Sequence, residues 1–343
     1  MTKAAELAKM GEVLTTSQIG GRRNILINGA MQVAQRGTSA SSKTTSDYFT
    51  CDRWRTEASG ATYNTSRQTN SASDMATTGA EHFLRMEVTT ANNNSGISQK
   101  IEAQNIKQFK GKKLTVSFYA KGTNPNGGSF TLTRFFGDDV NSASTAEHTS
   151  FTITSSWVKY TITFDYPDEG SVNLTLNTAK MALSFLQPNG DSSTNAWTLD
   201  LTSVQLEVGE QATPFEHRSY AEELNLCRRY YYQIGNTILP TSSSPPYGRV
   251  GQGQAISSTT GRVPFFFPQA MRAIPTATVS NIQIGNGATG AISLSSSGID
   301  ANTDSPDGVT IDFVVSSGLT TGQGCQAFQG NSSIGFVAFK AEL

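Results

Sequence analysis

Lys113-Leu114-Thr115-Val116-Ser117-Phe118-Tyr119-Ala120-Lys121 (KLTVSFYAK, 113–121) decides the fold class, because Leu114, Val116 and Phe118 fall on one face of a chain read with period two. Outward from it, similar runs recur as HFLRMEVTT (82–90), SFTLTRFFG (129–137), TSFTITSSWVKYTITFDY (149–166), MALSFLQ (181–187) and AWTLDLTSVQLEVG (196–209). Val158, Tyr160, Ile162 and Phe164 share one face, and Trp157 and Lys159 the other. Asn124-Pro125-Asn126-Gly127-Gly128 and Asn189-Gly190-Asp191 punctuate the runs as hairpin-like turns. The pattern predicts an antiparallel β-sandwich over 24–216. Beyond Gly235 the chain turns Ser, Thr, Gly and Pro rich, then resumes strands at RVPFFFPQAM (262–271), TATVSNIQIG (276–285), AISLSSSG (291–298), VTIDFVV (309–315) and SSIGFVAFKAEL (332–343). These predict a second β domain over 236–343. Pro264 and Pro268 place their run at an edge or in an interdomain position, since proline cannot donate to a ladder.

Two helices interrupt this all-β reading. Lys3 to Met10 are good helix formers stopped by Gly11, a short helix that needs a partner to dock on. Gly20, Gly21, Arg22 and Arg23 follow as a basic hinge, and Ile25 and Ile27 then alternate in strand fashion into an Asn28-Gly29 turn. Ser219 and Glu222 form a capping box ahead of YAEELNLCRRYYYQ (220–233). Tyr220, Leu224, Cys227 and Tyr231 make one stripe of that helix, and Leu226 and Tyr230 widen it. The organisation expected is therefore a terminal segment 1–23, a sandwich 24–216, a helical connector 217–235 and a β domain 236–343.

Composition excludes several classes. Charged residues are 15% of the 343, against about 25% usually. The net charge is −1 with scattered basic residues, so there is no electrostatic footprint for a phosphate backbone and nucleic acid is not an expected partner. Cys51, Cys227 and Cys325 are odd in number and irregularly spaced, which reads as buried thiols rather than a disulfide framework or metal site. No run approaches about 20 apolar residues, and MTKAAELAKMGEV lacks an apolar h-region, so neither membrane insertion nor a signal peptide is expected and the chain should fold in a cytoplasm.

Chemistry-bearing motifs are weak. His82, His148 and His217 stand apart from any metal or nucleophile signature, and no cofactor is implied. Gly285, Gly287 and Gly290 satisfy GxGxxG, but a strand follows where phosphate cradling needs a helix. Asp300, Asn302 and Asp304 open like a calcium loop, yet Ser305 and Ile311 occupy positions that require glycine and a carboxylate, leaving an Asx-rich turn. Asp138, Asp139, Asp168 and Glu169 read as solvated turn residues rather than a paired acid and base. Carbohydrate is the ligand class these residue types suit, through aromatic faces and amides. Trp54, Tyr63, Tyr119, Asn195 and Trp197 are candidates, with Trp54 and Trp157 read as core.

Four runs together carry a resemblance: NILINGAMQVAQRG (24–37), DYFTCDRW (47–54), KLTVSFYAKG (113–122) and LDLTSVQLEVGEQATPFEHRSYAEELNLCRRYYYQ (199–233). In this order they resemble the jelly-roll module of phage tail-fibre and tail-fibre-like proteins, over about residues 20 to 235. The leader AAELAKMGEVLTTSQIGGRRN is similar to that of such proteins in phages of marine bacteria. The resemblance implies a non-enzymatic virion protein, a homotrimeric fibre attached by its N-terminus to other virion proteins. Related cellulose-binding-type modules carry a structural calcium. Asp200 matches their last-strand acid, but Met31 and Gln32 stand at the early acidic position, so no metal is assigned.

On this reading Leu7, Met10, Val13 and Leu14 anchor the chain to the particle, and Leu224, Cys227 and Tyr231 make trimer contacts. Trp197, Asn195, Tyr247, Asn281, Asn286, Asn302 and Gln326 are candidates for host surface polysaccharide, the later ones on loops of the second domain. A capsid or neck decoration protein is the alternative, since no heptad or collagen-like shaft appears. A polysaccharide depolymerase is a weaker one.

Overall fold

The computed structural model describes residues 22–58, 60–90, 95–123, 129–140, 146–187, 196–235, 248–286, 290–300, 302, 304–330 and 335–343. The expected anchor residues Leu7, Met10, Val13 and Leu14, both expected hairpin turns, Asn195 and Tyr247 lie outside them. The chain divides into two compact units, 1–224 with Leu343, and 225–342.

The first unit is the expected jelly-roll β-sandwich. Its strands are β1 (Ser39–Lys43), β2 (Arg55–Glu57), β3 (Thr62–Thr69), β4 (His82–Thr90), β5 (Gly96–Glu102), β6 (Lys113–Thr123), β7 (Ser129–Gly137), β8 (Glu147–Thr152), β9 (Val158–Asp165), β10 (Lys180–Leu186) and β11 (Trp197–Val208). One sheet runs β1-β3-β4-β11-β6-β9, the other β2-β5-β10-β7-β8, with every pairing antiparallel. Leu114, Val116 and Phe118 of β6 are fully buried, as the opening run requires. Phe118 meets Phe185 of the opposite sheet at 4.8 Å and Phe151 at 5.1 Å between ring centroids, in edge-on geometry. Sequence reading missed the helix α1 (Ala72–Thr78), although its signals are present: Ser71 caps the Asp74 N–H and Gly79 ends it at φ +72°. A short turn of helix, α2 (Ala103–Ile106), follows β5.

The segment 24–37 is not the strand-and-hairpin expected. Ile25 makes one ladder-like bond to Leu206, and Asn28 sits at φ +59°, held there by its side chain, which bridges Val33 and the Asp52 carbonyl. Around it the quoted motifs close into a buried clasp. Arg218 donates to the carbonyls of Leu26, at 2.9 Å, and Asn24, and lies 3.3 Å from Glu223. Glu223 accepts the Asn28 N–H, Glu216 that of Asn24, and Trp54 Nε1 donates to the Asn28 carbonyl. Asp52 accepts from Gln35 and Arg36. The most specific motifs of the sequence are thus folding elements.

The helix capped by Ser219, α3 (Tyr220–Arg228), stops short of the expected Gln233. Its continuation, rich in aromatic and β-branched residues, becomes β12 (Tyr231–Gly235), because Phe336–Lys340 offers a partner strand. Tyr231 therefore leaves the helical stripe; it and Cys227 are buried, while Leu224 is half-buried.

The second unit continues with β13 (Arg249–Ala255), β14 (Thr260–Phe266), β15 (Thr276–Ser280), β16 (Ile282–Gly285), β17 (Ile292–Ser293), β18 (Ser296–Ile299), β19 (Gly308–Val314), β20 (Gly324–Gln329) and β21 (Phe336–Lys340). They form a three-stranded sheet, β12-β21-β15, and a seven-stranded sheet, β17-β16-β20-β13-β14-β19-β18. Phe265, Phe313 and Phe339 anchor one core shared by both sheets. Contrary to the edge expectation, β14 is interior. Its bonds to β13 involve only Gly261 and Arg262, so Pro264 sits where that side carries no ladder.

Candidate functional site

The outer face of the five-stranded sheet of the first unit carries a groove of about 340 Å³. Register decides which side chains share it. Across one row lie Arg55, Ser98, Ser184, Thr133 and His148. The next row holds Lys100, Ala182 and Phe135, and the one after it Glu102, Lys180 and Gly137. Ala182 and Ser184 make the buried floor, with Ser98 and Thr133 buried on either side of Ser184 in its row; Arg55, Glu57, Lys100, Asp138 and Lys180 line the groove around it. Phe135 is half-buried and stands apart from the core that takes its neighbour Phe136.

The groove's polar groups are held in place. Ser98 donates to Glu57 at 2.6 Å, and Arg55 pairs with the other oxygen of the same carboxylate. Asp138 accepts the backbone N–H groups of Val140 and Asn173. Thr133 and His148 are 3.0 Å apart. A short neutral floor, a flanking ring and fixed charges can hold a polar, ring-shaped ligand by stacking and hydrogen bonding. On the six-stranded side, Trp157 packs edge-on against Phe83 at 5.3 Å, and Lys121 lies 4.7 Å over its ring while reaching Asp74 of α1.

The residues expected from sequence are scattered. Trp197 is core, not binding surface: it is buried, donates to Gln187 at 2.6 Å and packs on Phe130. Trp54 is core as expected, whereas Trp157 is half-buried outside the core cluster. Tyr63 is buried and Tyr119 half-buried. Asn302 folds back on Asp300 as an Asx turn, and Asn286 donates to Gln323 at 3.1 Å. Gln326 faces outward on the seven-stranded sheet between Gln252 and Gly285. Asn281, at φ +48°, lines a pocket of the second unit. Asp200, the residue aligned with a calcium ligand, has both oxygens taken by Arg85 at 2.7 and 2.8 Å. Among the described residues no cluster of three or more His, Cys, Asp or Glu is placed to hold a metal ion, and no helix is long and apolar enough to cross a membrane.

The groove residues were missed because GISQKIE (96–102), which supplies Ser98 and Lys100, does not alternate visibly. One signal was available: in the adjacent pair Phe135-Phe136, period two must turn one ring outward.

No family model and no curated relative matches the chain. Among solved structures it is similar to the enzymatically active domain of tailspike protein 4 of bacteriophage CBA120, at 11% identity and TM-score 0.34, over 54% of this chain and 21% of that one. It is also similar to the CBM22-1 xylan-binding domain of Paenibacillus barcinonensis Xyn10C, at 15% identity and TM-score 0.31, over 51% of this chain and 94% of that one. A structure of CBM4 is similar at 21% identity and TM-score 0.27, over 37% and 84%. The sandwich assignment rests on the sheets described above and not on these likenesses.

Proposed function

We propose that this chain is a virion structural protein of a tailed bacteriophage, a trimeric tail fibre attached by its N-terminus that holds host surface glycan in the groove of its first unit. The observation that carries the glycan reading is the groove itself, an outer sheet face with a floor of short residues, one ring at its flank and charged side chains around it. The virion and trimer parts are supported by the ordered motifs 24–37, 47–54, 113–122 and 199–233, which resemble tail-fibre modules. The reading is of binding: Glu57 and Asp138, the carboxylates lining the groove, accept two hydrogen bonds each from the protein and are held as fixed acceptors.

The test is an array of bacterial surface polysaccharides probed with the full-length chain. Binding is expected, and Phe135→Ala with Lys180→Ala should weaken it at least about tenfold, a loss of about 1.4 kcal/mol. Absence of binding, or binding indifferent to both changes, overturns the groove assignment. Light scattering should give a mass of three chains, and a stable monomer removes the trimer. Labelling on intact particles should find the protein on the tail; a neck or capsid position would favour the decoration reading.

A further inference from the structure

The second unit holds a pocket of about 490 Å³ whose chemistry differs from that of the groove. Its polar lining among the described residues consists of Asn281, Gln283, Ser293, Ser295, Ser296 and Ser297, two amides and four hydroxyls, with no charged side chain. Val279, Ile282 and Leu294 supply apolar surface, and Ile282 is buried in the unit's core. Gln283 is the telling residue. Its Nε2 makes one long contact to Ser293 at 3.4 Å, while its Oε1 is buried with no hydrogen-bond partner among the described residues. A buried acceptor left unpaired costs about 1–3 kcal/mol, so rotation of the half-buried Gln283 amide toward a ligand hydroxyl in the pocket recovers a bond that the described residues do not supply. Turning the amide over would exchange acceptor for donors and leave the same vacancy for a hydroxyl, which serves as either partner.

We infer that this pocket is a second binding site, selective for neutral polyhydroxylated ligands, of which an uncharged glycan segment of about disaccharide size fits the volume. The choice of glycan as ligand rests on the function proposed above; the site itself rests on the pocket. Lack of a countercharge excludes phosphate, carboxylate and sulfate groups, because burying an unpaired charge costs more than a few hydroxyl contacts return. No aromatic ring among the described residues lines the pocket, so a single site is weak, and repeated copies of a surface glycan bound by several chains supply the avidity.

The test uses the full-length protein and ligand-observed NMR with maltose, lactose and cellobiose as neutral probes, and digalacturonate as the charged one. Neutral probes are expected to show saturation transfer, and digalacturonate none from this site. Gln283→Leu keeps the shape and removes the amide, and Ser297→Phe, at an exposed position, fills the pocket without disturbing the core. Both should weaken the neutral probes at least about tenfold, and Met75→Ala, at an exposed position outside both groove and pocket, should leave them unchanged. If Gln283→Leu fails to fold, Ser297→Phe alone decides. Neutral-probe signals that survive Ser297→Phe but vanish in Phe135→Ala overturn the pocket and leave the groove standing. No transfer from any neutral probe, with polysaccharide still bound by the groove, also overturns it.

Discussion

Loss of Arg218 would leave several buried polar groups without that partner. Arg218 is buried, reaches two backbone carbonyls on the opening segment, and faces the carboxylates of Glu216 and Glu223. Each charge-assisted bond is worth about 1.5–3 kcal/mol, and breaking a buried ion pair from one side costs about 3–5 kcal/mol. Arg218→Ala should therefore destabilise the first unit by about 4 kcal/mol, a large share of the roughly 5–15 kcal/mol that holds a domain folded. The assay is built into the sequence. All three tryptophans, Trp54, Trp157 and Trp197, lie in the first unit, so their fluorescence in urea follows that unit alone. With a slope of about 2 kcal/mol per molar, the midpoint should fall by about 2 M. Pairing Arg218→Met with Glu223→Gln should recover part of the loss, because the second change removes the stranded charge. A midpoint shift below about 0.5 M for Arg218→Ala, the size of an exposed pair's effect, would refute the clasp.

Three further outcomes are expected. Gly96→Ala puts a Cβ 2.0 Å from the Phe185 carbonyl oxygen, so β5 must part from β10 at a cost of about 1–3 kcal/mol in the same urea assay, and an unchanged midpoint would contradict the register. Burial pushes the Tyr63 phenol up to about 12. The unfolded chain loses that proton near pH 10, so stability should fall from about pH 10 to about 12. Tyr63→Phe should weaken the fold at neutral pH, where the hydroxyl bonds Thr45 and Thr56, yet flatten that alkaline fall; a slope equal to the parent's argues against the burial effect. Deleting residues 1–20 removes nothing from the clasp, which begins at Asn24, so the truncated chain should stay folded but fail to enter particles, and normal incorporation would sink the anchoring idea.

The fold was legible where apolar residues alternate. KLTVSFYAK, HFLRMEVTT and SFTLTRFFG announce β6, β4 and β7 with their buried faces. Strands whose pattern is carried by glycine and glutamine were not. RVGQGQA (β13) and GCQAFQ (β20) fill the middle of the seven-stranded sheet, yet their inward positions include Gly251 and Gly253, which register as turns to any reading based on side chains. The site was harder. A groove is made by contrast between short and long residues on strands brought together by long-range pairing, as when Arg55 meets Ser98 and Ser98 meets Ser184. No local window contains that contrast. Trp197 misled for the opposite reason, since polar neighbours in sequence say nothing of the Phe130 ring that covers it.

The three thiols have a practical consequence. Cys51, Cys227 and Cys325 are all buried, and burial raises the Cys51 and Cys325 thiols above their ordinary range, which keeps them protonated and slow to react. A cysteine introduced by Val140→Cys, at a position 80% exposed, would be the one thiol open to a maleimide without removing any native cysteine. A gold cluster coupled there turns the chain into its own marker, so that electron micrographs of reconstituted particles would report its address directly, without an antibody and without knowing what it binds.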